Sequence, residues 1–316
     1  MKNDRLRKVV VIGGGTGLSV LLRGLKRCSV DITAIVTVAD DGGSSGRLRN
    51  DFDIPPPGDI RNVLIALSEA EPLFEALMQH RFKNGDGLSG HSVGNLLIAA
   101  LTDITGDFVS AIKQLSRVLN VKGNVIPAAN QAIVLNAVMT DGTHVIGESK
   151  IPLAGKKIKR VFLTPKAIKP LQETIEAIEE ADLIALGPGS LYTSVLPNLL
   201  VPGITETIRK SKAKKVYICN IMTQQGETDD FSASDHVQAL IDHIGYQLVD
   251  AIIVNDAPVP DDIAALYALE GSKPVIYDVE KLMSFGFQII HDKIIEYEQK
   301  LIRHDAKRLS EILLSL

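Results

Sequence analysis

Val9-Val10-Val11-Ile12-Gly13-Gly14-Gly15-Thr16-Gly17 decides the fold. Four apolar residues read as a strand, and the glycines that end it let the backbone turn tightly and approach a phosphate closely. Beyond them Leu18, Leu21, Leu22 and Leu25 recur at helical spacing on one apolar face. A strand, a glycine turn and a helix in that order present free N–H groups and a helix dipole to an anion at Thr16, Gly17 and Leu18. The dinucleotide fingerprint G-x-G-x-x-G is incomplete, because Leu18 stands where its third glycine belongs. A nicotinamide dehydrogenase is therefore disfavoured. A conventional P-loop is excluded too, since no Lys-Ser or Lys-Thr pair follows the glycines.

The same pattern recurs along the chain. The apolar stretch 32–38 runs into Asp40-Asp41-Gly42-Gly43-Ser44-Ser45-Gly46, and 183–186 precedes Gly187-Pro188-Gly189-Ser190. The stretch 216–219 leads into the polar loop 220–227, and 252–254 into Asn255-Asp256. Strands that alternate with helices predict an α/β fold: a Rossmann-like open, mostly parallel sheet flanked by helices. If the five strands are parallel neighbours, their loops share the edge at which such sheets bind ligands. The layout predicts a phosphate-bearing ligand.

Further helices are expected from Asp59, with that side chain as cap, over 72–81, from the cap Ser92 through 101, and over 107–119. The stretch 124–165 breaks the pattern. Two apolar runs flank Asp141-Gly142, a tight hairpin signature, and with 157–163 they predict a small antiparallel β insert within a single domain spanning 1–316. Ile294, Tyr297, Leu301, Ile302, Leu309, Ile312 and Leu313 predict one amphipathic helix over 294–316.

Composition bounds the function. The chain has 316 residues with 45% hydrophobic content, enough for a large core, and no apolar run approaches the roughly 20 residues that span a bilayer. Two cysteines, Cys28 and Cys219, are too few for a disulfide framework and suggest a reducing, cytoplasmic setting, with no cleavable signal before the first strand. A net charge of -4, the absence of Trp and the lack of a dominant basic stripe argue against nucleic acid as a partner. No zinc spacing, Ser-His-Asp order or G-x-S-x-G elbow is present, which sets hydrolase and structural-metal readings aside.

The candidate ligand-binding residues lie in these loops. Gly13, Gly14, Gly15, Thr16 and Gly17 form the first nest. In the second loop Asp40 and Asp41 can hold a divalent cation or a ribose hydroxyl, Gly42, Gly43, Ser44 and Ser45 can wrap an anion, and Arg47 can neutralise a phosphate. Asp59, Arg61 and Asn62 add an acid, a base and an amide behind the rigid Pro55-Pro56-Pro57 run. His91 faces the ligand in this reading, Ser92 caps the next helix, and Asn95 offers a donor and an acceptor. Gly187, Pro188, Gly189, Ser190, Thr193 and Ser194 form a further nest with hydroxyl donors. Asn220, Thr223 and Gln224, with Glu227 and Thr228 in the same loop, suit sugar hydroxyls.

Taken in order, Gly13 to Gly17, Asp40 to Arg47, Pro57-Gly58-Asp59-Ile60-Arg61-Asn62, His91 to Asn95, Leu186 to Ser194 and Asn220 to Gln224 resemble the CofD-like family over nearly the whole chain. The set is most similar to its bacterial gluconeogenesis-factor branch. That resemblance implies a Rossmann-like core and a cytoplasmic protein that binds UDP-sugars such as UDP-N-acetylglucosamine or UDP-glucose. It also implies a role in cell shape and wall synthesis during growth on gluconeogenic carbon sources. The 2-phospho-L-lactate transferase branch moves a phospholactyl group onto a deazaflavin precursor with magnesium. Its metal-binding aspartates correspond to the Asp40-Asp41 and Asp59 regions here, which makes Asp41 and Asp59 the candidate Mg2+ ligands. Ile60-Arg61-Asn62 departs from the aspartate-rich pattern of that branch. Two classes stay open: a non-catalytic nucleotide-sugar sensor that acts on a regulatory protein partner, and a magnesium-dependent transferase. Whether the chain forms a homo-oligomer also stays open.

Overall fold

A computed structural model describes residues 5–298 and 300–316. Its centre is a seven-stranded sheet of β1 (Arg7–Gly13), β2 (Val30–Val36), β3 (Asn124–Pro127), β7 (Leu183–Leu186), β8 (Lys214–Ile218), β9 (Ala251–Asn255) and β10 (Gln288–Asp292). The strands lie in the order β10-β9-β8-β7-β1-β2-β3, and every adjacent pair is parallel. The five strands expected from sequence are neighbours in this sheet. Val9, Val11 and Ile12 of β1 are fully buried, as a central strand with both faces covered requires.

The winding reverses between β1 and β7. From β1 the chain builds outward through β2 and β3, and from β7 it builds the other way through β8, β9 and β10. Loops that leave the carboxyl ends of β1 and β7 therefore part company, and the gap between them is the switch point at which open α/β sheets take their ligands.

A three-stranded antiparallel sheet stands apart, with β4 (Val134–Met139) between β5 (His144–Ile146) and β6 (Ile158–Thr164). The insert thus begins at Val134. Asn124–Pro127, placed within it by the sequence reading, pairs with β2 instead, because its amides continue the parallel ladder at Thr33 to Val36.

The continuous helix expected over 294–316 is not formed. The segment folds as an antiparallel hairpin of β11 (Ile295–Glu298) and β12 (Leu301–His304), followed by a helix at Ala306–Ser315. Ile295 and Tyr297 alternate with Glu296 and Glu298, a period of two that competes with the helical spacing. Asp305 caps the final helix by accepting the N–H of Arg308 at 2.9 Å. That helix lies on Gly15–Leu25, which also packs against Gly58–Leu67. Among the described residues no single helix is long and apolar enough to cross a membrane.

Candidate functional site

The glycine turn after β1 is held from below. The Gly13 carbonyl accepts Thr37 N–H at 3.0 Å and Asn198 Nδ2 at 3.1 Å, which ties the ends of β1 and β2 to the helical segment after β7. The helix at Gly15–Leu25 then begins with Gly14 as its cap residue, which has no side chain to bond its first N–H groups. Gly17 lets the loops after β1 and β7 meet, since a Cβ there would stand 2.8 Å from the Pro188 carbonyl oxygen.

Between these loops lies a cavity of about 340 Å³. Gly14, Gly15, Thr16 and Gly17 line it from β1, Pro188, Gly189, Ser190 and Ser194 from β7, and Asn220, Thr223 and Gln224 from β8. Gln224 Nε2 donates to Ser190 Oγ at 2.7 Å, and Asn220 Nδ2 donates to Gln224 Oε1 at 3.3 Å, so the amides are oriented before any ligand arrives. Ile221 and Met222 also line it, together with residues not expected from sequence: Tyr267, Ser272, Ile302, Arg303 and His304. Arg303 reaches it from β12 and bonds only the Ile302 carbonyl, at 3.1 Å. His304 donates Nε2–H to the Cys219 carbonyl at 3.2 Å, and burial pushes its pKa down to about 4, leaving it neutral at pH 7. Among the described residues, Arg303 is the one Lys, Arg, Asp or Glu side chain in the lining.

The remaining predicted residues gather beside the cavity rather than in it. Ser44 Oγ lies 3.0 Å from His91 Nδ1, and Asn95 Nδ2 donates to Ser44 at 3.2 Å and Ser45 at 3.4 Å. Arg61 Nη1 donates to Ser92 Oγ at 2.5 Å and Asn95 Oδ1 at 2.9 Å, and Nη2 to Asn62 Oδ1 at 2.8 Å. Ser92 caps Val93–Thr105 as expected. His91 is buried in this network, Arg47 is bonded to the Ser89 carbonyl at 2.7 Å, and Gly187 donates its N–H to Ile12. Gly43 carries a φ of +47° in the first turn of Gly43–Phe52.

The acids behave differently from expectation. Asp59 is not the cap of Gly58–Leu67; its carboxylate faces the glycine turn and accepts the backbone N–H of Gly15. A Cβ on Gly14 would lie 2.5 Å from Asp59 Oδ2 and 2.6 Å from Thr37 Cγ2, so that glycine is required by close packing. Burial and the neighbouring Asp40 push Asp59 up to about 7. Glu148, from the short turn after β5, is pushed up to about 8 by burial and by Asp40, Glu227, Asp59 and Asp41. Asp41 turns towards the insert, accepting Ser149 N–H at 2.8 Å. Asp40 is the acid that raises Asp59, and Asp40, Asp59 and Asp41 together act on Glu148. Among the described residues no group of three or more His, Cys, Asp or Glu side chains is placed to hold a metal ion.

These acids make stability depend on pH. Asp59 and Glu148 hold their protons more tightly in the fold than in the unfolded chain, so their contribution is full below about pH 4 and is lost as pH rises through 7 to 8. Glu148→Gln is expected to stabilise the protein at pH 8 by on the order of 1 kcal/mol and to flatten that loss. Thermal melts between about pH 5 and 8 check it; parallel curves for the two proteins would count against the assignment.

A larger groove, about 810 Å³, lies at the amino ends of β1, β2 and β3, over Lys8, Asp31 and Asn124. Ion pairs of Lys113 with Glu173 and of Lys8 with Glu180 engage charged side chains in its lining, and none of the glycine-rich loops opens into it. The carboxyl-end cavity is the better candidate site.

An open parallel sheet with a polar cleft at its switch point defines a Rossmann-like α/β protein. The chain belongs to the CofD family, whose description is 2-phospho-L-lactate transferase CofD and which matches residues 9–295. A Halalkalibacterium halodurans protein named gluconeogenesis factor is 63% identical over 308 residues, 98% of this chain and 96% of that one. A Bacillus subtilis strain 168 protein of the same name is 60% identical over 309 residues, 98% of each. A crystal structure of a Bacillus halodurans protein superposes with a TM-score of 0.97 at 62% identity, covering 98% of this chain and 100% of that one.

Proposed function

We propose that this protein is a cytoplasmic regulatory protein that binds a UDP-sugar, such as UDP-N-acetylglucosamine or UDP-glucose, in the cleft between β1 and β7. One observation carries the reading: a single cavity offers each part of such a ligand a matching surface. The N–H groups of Thr16 and Gly17 and the Arg303 guanidinium suit a diphosphate. The hydroxyls and amides of Ser190, Ser194, Asn220 and Gln224 suit a sugar. Tyr267, Ile302 and Met222 supply the apolar wall that a base needs.

The relatives named gluconeogenesis factor support a role in growth on gluconeogenic carbon sources. Cell shape and morphogenesis, through wall synthesis, is the process we assign to it, and its output is a regulatory protein partner whose binding changes with ligand occupancy. UDP-glucose or UDP-N-acetylglucosamine at about 100 times its dissociation constant is expected to stabilise the fold by roughly 2.7 kcal/mol. Thermal melting of the purified protein measures this; an unchanged transition with both nucleotides would sink the proposal.

The second reading is a transferase acting on a nucleotide-linked substrate. It is favoured by the family match and by Asp59, an acid with a raised pKa set against the Gly15 N–H. Release of UMP, GMP or UDP in excess over protein, dependent on added magnesium, would establish it. Saturable binding without turnover supports the sensor.

A further inference from the structure

Glu227 is joined to the residues beside the cleft, through Thr193, next in sequence to the lining residue Ser194, and through the backbone of the lining residue Gln224. Its Oε1 accepts from Thr193 Oγ1 at 3.1 Å, and the backbone N–H groups of Tyr192 and Thr193 also point at the carboxylate. Thr193, expected from sequence to serve a ligand, serves this acid instead. The carboxylate occupies N–H groups that the turn after β7 would otherwise offer to an anion. Glu227 is 7% exposed, and its Oε2 is buried with no hydrogen-bond partner. Its own N–H donates to the Gln224 carbonyl at 3.1 Å, while Gln224 Nε2 bonds Ser190, so the acid is fixed against two residues that face the cavity.

The charges of the cleft are therefore divided. A diphosphate finds the N–H groups of Thr16 and Gly17, with Asp59 held on the Gly15 N–H beside them, and the one cation among the described lining residues, Arg303. At the Ser190 and Gln224 end a ligand finds hydroxyls and amides, a buried carboxylate joined to them, and no cation among the described lining residues. Glycosyl hydroxyls are satisfied there. A second anionic group meets like charge in a partly desolvated setting, where repulsion is far less screened than in water.

We infer that Glu227 makes the cleft select a nucleotide sugar with an uncharged glycosyl group over one that carries a carboxylate. This rests on the cleft being the nucleotide-sugar site proposed above. Burial pushes Glu227 up to about 7 against the hydrogen bonds it accepts, so the carboxylate form predominates at pH 8. The titratable groups coupled to it are Glu148, Asp229 and Tyr192.

Calorimetric titration of the full chain at pH 8 with UDP-glucose and UDP-glucuronate tests the inference. The wild type is expected to bind UDP-glucuronate at least about tenfold more weakly, and Glu227→Gln, which keeps an acceptor for Thr193, to recover most of that loss with little change for UDP-glucose. Equal affinities in the wild type would overturn the inference, as would an unchanged ratio in a folded Glu227→Gln protein. Should that variant fail to fold, the ratio in the wild type and in Glu148→Gln is compared at pH 6 and pH 8. Narrowing at pH 6 in both supports Glu227, and a constant ratio overturns it. Binding of neither nucleotide overturns the reading of the cleft itself, and this inference with it.

Discussion

Gly24→Val is expected to lower the unfolding free energy by about 3 kcal/mol or more and the melting temperature by roughly 6 °C. Gly24 lies where the helix Gly15–Leu25 crosses the helix Ala306–Ser315, and a Cβ there would drive into the Ala306 carbonyl and approach Ser310 Oγ to 2.5 Å. The first obstacle is backbone, which cannot rotate away as a side-chain tip can. Relief requires one helix to retreat, which loosens the packing between the two helices. Urea unfolding with the slope held in common measures the change. A loss below about 1 kcal/mol would mean that the two helices are not in contact at this point.

Arg303→Ala is expected to weaken UDP-sugar binding about 10- to 100-fold while the unliganded melting temperature moves by less than about 2 °C. Among the described residues the guanidinium has no carboxylate partner and bonds the Ile302 carbonyl, so little structure depends on it. Its value lies in the bound state, where a charge-assisted hydrogen bond to a phosphate contributes roughly 1.5–3 kcal/mol. Arg303→Lys keeps the charge but loses the planar fork and is expected to fall between the two. Titration calorimetry of the three proteins with UDP-glucose decides the matter, and undiminished affinity in Arg303→Ala would move the diphosphate away from β12.

Arg303 also marks the limit of what the sequence discloses. Gly13 to Gly17 and Gly187 to Ser190 were legible because a strand that ends in glycines announces its own turn, and parallel pairing then carries the turns to one edge. Ser92 was legible as a cap because capping is local chemistry. Asp59 was misassigned for the converse reason: its partner, Gly15, comes from another strand loop, and no local pattern announces it. Arg303 was missed because Ile294, Tyr297, Leu301 and Ile302 satisfy a helical spacing as well as a hairpin, and only packing against Tyr267, whose hydroxyl accepts the Ile302 N–H at 2.8 Å, separates the two. The strand Asn124–Pro127 is four residues long, too short for a period to be read. Glu148 and Asp40 meet only because the insert folds back over the loop after β2, a tertiary event.

The central position of β1 has a consequence for biosynthesis. One of its edges pairs with β2 at once, but the other waits for β7, and Lys8 and Asp182, which join the two strands, are 174 residues apart. At the usual pace of about 5–20 residues per second, the ribosome needs roughly 10–35 s to supply the missing strand. For that interval the central strand of the sheet has an open ladder of N–H and C=O groups, the condition under which nascent chains pair with one another. The feature that places the ligand site at the centre of the finished protein thus makes the unfinished one dependent on shielding by chaperones.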